Sequence, residues 1–129
     1  MPGNKTYISF YLPRHTLRVF VKAIRALEEP TYVRFLINPE TLKMAMENYG
    51  KKEFTSFRVS RRMIEDSNSS SLRIHSKKFC DLIARRMNWD FGKGYRVPGT
   101  IYPEQNVVVY SLSEAQEIPL KTRQKTPVS

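Results

Sequence analysis

The sequence predicts an α/β chain of the two-layer α+β kind: a small mixed or antiparallel sheet with three helices, mainly on one face. Three observations lead there. Segments that alternate apolar and polar residues trade places with segments whose apolar residues recur every three or four positions. Proline, glycine and asparagine punctuate the boundaries between them. The 129 residues suit one domain and are too few for two independent cores.

Residues 6–12 (TYISFYL) have a period of two, so Ile8, Phe10 and Leu12 point one way and Tyr7, Ser9 and Tyr11 the other. Pro13, which has no N–H, stops that strand. Over residues 14–27 the spacing turns helical: Leu17, Phe20, Val21, Ile24 and Leu27 share one face, predicting a first helix. Residues 31–37 (TYVRFLI) read as a strand with Val33, Phe35 and Ile37 on one side. Asn38-Pro39-Glu40 then reads as a helix start, since Asn caps free N–H groups, Pro suits the first position and Glu meets the positive dipole end. This second helix carries Leu42, Ala45, Met46 and Tyr49 inward and stops at Gly50. Residues 53–60 form a third strand.

The stretch 65–71 (EDSNSSS) has no apolar residue, and residues 60–71 are expected to be a mobile loop inside a single domain spanning residues 1–117. Leu72 to His75 read as a short strand. Ser76 caps a third helix that carries Phe79, Leu82, Ile83 and Met87 and ends near Asn88. Residues 95–98 and 106–112 (NVVVYSL) are two further strands, joined by a loop. Residues 118–129 lack a core-forming pattern and are expected to be a disordered basic tail. Residues 38–59 and 76–97 echo each other at an offset of 38, each with a cap, an apolar stripe and an aromatic-Arg-Val ending, which reads as an internal β-α-β repeat.

Charge points to function. Lys and Arg number 22 against 12 acids, a formal net charge of +10, and such a field attracts polyanions. No apolar run approaches the ~18 residues of a membrane span. The first residues lack the apolar core of a secretory signal, and the single cysteine excludes an intramolecular disulfide. A cytoplasmic protein without membrane contact is the expectation.

If helices cover the more apolar side of the strands, the other side collects Tyr7, Ser9, Tyr11, Tyr32, Arg34, Ser56, Arg58, Arg73, His75 and Arg96, with no acid at the strand centres. Aromatic rings stack bases and arginines pair with phosphates, so Tyr11, Tyr32, Arg34, Arg58, Arg73 and Arg96 form the candidate contact surface for single-stranded RNA or DNA. Arg14, Arg18, Lys22 and Arg25 line one face of the first predicted helix and supplement it toward phosphates. Arg61, Arg62, Lys121, Arg123 and Lys125 add further cations. Two alternatives stand beside this. The same face suits a protein partner or a second copy of the chain, as in an adaptor or structural subunit. Alternatively the third helix enters the major groove of a duplex, with residues 95–112 as a wing.

Catalysis lacks its constellations. His15 and His75 have no supporting ligand motif, and Gly92-Lys93-Gly94 lacks the rest of a phosphate loop. Glu65 and Asp66 fall in the expected mobile loop. Cys80 sits on an apolar helical face and Trp89 follows the third helix, both as packing residues. A non-enzymatic accessory subunit of a nucleoprotein complex is expected, with no metal and no cofactor.

Overall fold

β-Branched and aromatic residues at alternate positions, broken by turns bearing Pro or Asn, favour antiparallel hairpins. The computed structural model, which describes residues 5–28, 30–52, 56–62 and 71–119, joins these hairpins into one antiparallel sheet. Its strands are β1 (Lys5–Tyr11), β2 (Thr16–Phe20), β3 (Tyr32–Asn38), β4 (Lys43–Tyr49), β5 (Ser56–Arg58), β6 (Ser71–His75), β7 (Gly94–Tyr102), β8 (Val107–Ser111) and β9 (Gln116–Ile118). Their order is β5-β3-β4-β8-β7-β1-β2-β6, with β9 paired to the first residues of β7. A short helix α1 (Val21–Arg25) follows β2, and α2 (Lys77–Met87) links β6 to β7.

The sheet curls into a nearly closed, barrel-like shape. β1 and β3 lie four steps apart in the strand order, which in a flat sheet is ~19 Å at ~4.8 Å per step. Yet Phe10 of β1 and Phe35 of β3 both meet the ring of Phe79 on α2, at centroid distances of 6.4 and 5.1 Å. Phe57 of β5 meets the same ring at 5.5 Å. The concave side is the core: Ile8, Phe10, Leu17, Val19, Val33, Phe35, Met44, Met46, Val97, Val108 and Tyr110 are all buried there. Phe79, Cys80, Ile83 and Ala84 of α2 are buried with them. Ser76 caps this helix, its hydroxyl accepting the Phe79 N–H at 3.1 Å, and Asn88 ends it in the left-handed region at φ 57°. Trp89 then stacks on Tyr95 at 4.4 Å and meets Phe10 edge-on at 5.4 Å.

The two-layer α/β expectation with three helices is therefore corrected to a mostly antiparallel β architecture. Of the three expected helices, α2 exists as read. The first is largely β2, with only Val21–Arg25 helical. Leu17 and Val19 face Phe10 and Ile8 across the β1–β2 ladder, so a period of two wins where both periods fitted the apolar residues. His15, at φ 54°, closes the turn that lets the chain reverse. The second expected helix is β4. Asn38 does accept N–H groups from Glu40 and Thr41, at 2.9 and 3.2 Å, as a cap would. Here those bonds shape a hairpin loop, closed by the Leu42 N–H to the Asn38 carbonyl at 2.8 Å, with Leu42 at φ 57°. Met44 and Met46 are the buried pair of β4, whereas Leu42, Ala45 and Tyr49 are only half-buried. The internal echo is not a structural repeat, because residues 38–59 hold a hairpin loop and strands while residues 76–97 hold α2 and β7. Most of the expected loop over 60–71 lies outside the described residues, as does the tail from residue 120; Ile118, the first residue of the expected disordered tail, instead ends β9.

One glycine is demanded by packing. The Tyr110 ring lies across Gly99, where an added Cβ would stand 2.5 Å from Tyr110 Cδ1 and 3.0 Å from the Val109 carbonyl oxygen. Gly99→Ala is expected to destabilise the fold by about 1–3 kcal/mol through overpacking. A urea titration reads this as a lower midpoint with an unchanged slope; an unchanged midpoint would mean the ring is not seated there.

Candidate nucleic-acid interface

Because side chains alternate along a strand, burial of Ile8 and Phe10 forces Ser9 onto the outer face. Ser9 stands opposite Arg96 of β7 on one side and Arg18 of β2 on the other, and Arg18 stands opposite Arg73 of β6. The register thus writes one row across four strands: Arg96, Ser9, Arg18, Arg73. Ser9 is only 7% exposed between its long neighbours.

Two rows flank it. On one side lie Pro98 and Tyr7, with Phe20 and Ser71 continuing the same register. Tyr7 is 39% exposed, and the Arg96 guanidinium lies over its ring at 5.3 Å. On the other side lie Gly94, Tyr11, Thr16 and His75. The Thr16 hydroxyl donates to the Arg14 carbonyl at 2.9 Å, so at 2.8 Å it accepts from His75 Nδ1.

Electrostatically the outward positions of these four strands are one-signed, and the acid on the neighbouring β9, Glu117, is bonded to Lys93 at 3.1 Å. The outward positions of β7, β1, β2 and β6 carry no Asp or Glu. Like charges directly opposite each other on a ladder repel, and Arg18 faces Arg73. Among the described residues neither arginine has an ion-pair partner, and Arg18 Nε is buried without an acceptor.

The structure does not bring all the expected contact residues together. Arg73, Arg96 and Tyr11 lie on this face. Tyr32, Arg34 and Arg58 also point outward, but on β3 and β5, with β4 and β8 between them and β7. Arg34 is engaged within the protein: its Nε donates to Glu47 Oε2 at 2.8 Å, its NH2 group bonds the same oxygen, and its guanidinium lies 4.0 Å from the Tyr49 ring centroid. The expected helical stripe does not exist. Arg14 lies in a 3-10 turn, Arg18 in β2, and Lys22 and Arg25 in α1. Arg18 instead occupies the centre of the sheet row. Reading residues 16–20 (TLRVF) as a strand would have placed it there, since Thr, Val and Phe are strand formers.

The winged-helix geometry is corrected as well. The β7–β8 hairpin lies mid-sheet, paired to β1 on one side and β4 on the other, and is no free wing. On α2, Lys77 is tied to Asp81 at 2.8 Å, a bond that holds the Asp81 carboxyl below its ordinary range. Cys80 is fully buried, and burial, with Asp81 adding to it, pushes its thiol up to about 12. The thiol therefore stays protonated across neutral and mildly alkaline pH. Iodoacetamide at about pH 8 is expected to leave native Cys80 unmodified and to alkylate it fully in denaturant, as read by intact mass.

No protein-family model, curated protein or solved structure matches the chain. No helix among the described residues is long and apolar enough to cross a membrane.

Proposed function

We propose that this protein is a non-enzymatic nucleic-acid-binding protein, an accessory subunit of a cytoplasmic nucleoprotein assembly, and that single-stranded RNA or DNA binds the outer face of β7, β1, β2 and β6. The observation that carries this reading is the Arg96–Ser9–Arg18–Arg73 row, in which Arg18 faces Arg73 and, among the described residues, no acid answers them. A phosphate backbone laid along the row relieves that repulsion and releases its own counterions. Tyr7 beside the row offers a ring face to unstacked bases, and Tyr11 borders the row on its other side. The net charge of +10 supplies attraction at longer range.

Curvature favours a single strand over a duplex. The outer face of a closed sheet is convex, so a duplex cylinder touches it over a narrow strip. A flexible strand follows the curve and keeps its bases free to stack. Lys22 on α1 and Arg14 in the turn before β2 lie beyond the ends of β2 and extend the positive field there.

A gel shift with single-stranded RNA, single-stranded DNA and duplex at two salt concentrations tests this. Single strands are expected to bind more tightly, with affinity falling steeply as salt rises. Arg18→Ala is expected to weaken binding and to shrink the log–log salt slope by about 0.7. Arg34→Ala removes the same charge from the other half of the barrel and is expected to leave the slope unchanged. A duplex preference, equal effects of the two variants, or a shallow salt response would overturn the proposal; the last is the signature of a protein-docking face.

A further inference from the structure

The chemistry of the two flanking rows differs, and on the reading just given that difference orients the bound strand. One flank is the more apolar, with Pro98, Tyr7 and Phe20 in sequence across β7, β1 and β2 before Ser71 of β6, whereas the other sets a single ring, Tyr11, between Gly94 and the Thr16–His75 pair. That pair is polar and already committed, with the Thr16 hydroxyl bonded both to the Arg14 carbonyl and to His75. Base faces gain by leaving water against rings and a pyrrolidine, and gain little against hydroxyls that are already satisfied. Arg96 over Tyr7 also holds that ring in place before any base arrives, so less side-chain freedom is lost on stacking.

Length follows from strand spacing. From Arg96 on β7 to Arg73 on β6 there are three strand steps, or ~14 Å at ~4.8 Å per step. One strand of a stacked helix advances ~3.4 Å per nucleotide. We infer that the face takes a segment of about four nucleotides running across the strands, its phosphates along Arg96, Arg18 and Arg73 and its bases over Pro98, Tyr7 and Phe20. The Tyr11–Thr16–His75 row then borders the phosphate edge and carries no stacked base.

Fluorescence anisotropy on the full 129-residue chain tests this with labelled oligouridylate and oligothymidylate of about two to twelve nucleotides, bracketing the site sizes of single-strand binders. Affinity is expected to climb steeply to about four nucleotides and then to rise only with the number of binding registers. Tyr7→Ala is expected to weaken binding about tenfold without changing the salt slope, and Tyr11→Ala to cost distinctly less. Both tyrosines lie on the outer face, and a thermal melt matching the parent's establishes that each variant is folded. Tight binding with the order of the two tyrosines reversed would overturn the orientation. Affinity that keeps climbing steeply beyond about eight nucleotides would overturn the footprint while leaving nucleic-acid binding intact. Absence of binding to every oligonucleotide would remove the underlying reading together with this one.

Discussion

Closure of the sheet depends on one side chain, Phe79. Its ring touches Phe10, Phe35 and Phe57, which belong to three strands spread over most of the sheet. The Ser76 hydroxyl accepts the N–H of Phe79 itself, so the start of α2 and the position of the ring are set by the same residue. From there a chain of rings continues through Phe10 to Trp89 and Tyr95, carrying contact from β5 to β7 through the interior. Without this cluster the core side would open, and the outer face would lose the convexity on which the proposed preference for single strands rests. The function proposed for the outside thus rests on aromatic packing inside.

The arginine row is a by-product of that same packing. Ile8 and Phe10 meet Val19 and Leu17, which in turn meet Leu72 and Ile74 of β6, and those registers set Arg18 on the outer face opposite Arg73. Magnitudes decide the outcome. Each buried aliphatic or aromatic side chain contributes about 1.5–3 kcal/mol, whereas a like-charge pair across a ladder costs roughly 0.2–1 kcal/mol. Several burials outweigh one repulsion, so the fold holds the arginines together at modest expense. A slip of one residue of β6 against β2 would relieve the charges and expose Leu72 and Ile74, which costs more.

Much of this was legible in the sequence, and the failures have physical causes. The inward and outward sides of β1, β3, β6 and β7 follow from alternation alone, and α2 announces itself through Ser76, its apolar stripe and Asn88. β2 and β4 were hidden for different reasons. In β2, Leu17 satisfies a helical period with Val21 and Ile24 as well as a strand period with Val19, and only the partner strand chooses between them. In β4, Met, Ala and Glu are strong helix formers, and the Asn38 hydrogen bonds that start a helix serve equally to shape a hairpin loop. Local preference favoured a helix; pairing with β3 and β8 on both sides overrode it. Strand order is carried by no local pattern, so the separation of Arg34 and Arg58 from Arg73 and Arg96 was invisible.

Arg34 and Arg18 show what parity cannot supply. Both are arginines on strands, both point outward, and their fates are opposite because of what the register sets across from them. Arg34 faces Glu47, thirteen residues away in the chain, while Arg18 faces Arg73. The Arg34–Glu47 pair is part-exposed, and such pairs add only about 0–1 kcal/mol to stability. Its larger consequence is electrostatic, since it cancels a unit of positive charge on the β3–β4 ladder, whereas among the described residues the Arg18–Arg73 pair leaves both of its charges uncompensated. A basic sheet face is therefore identified by the cross-strand partner of each cation more than by the cations themselves. By that criterion the Arg96–Ser9–Arg18–Arg73 row, whose cross-strand partners include no acid, is where the proposed polyanion would gain most, and Arg18, enclosed between Arg73 and Ser9, is the residue on which that gain would centre.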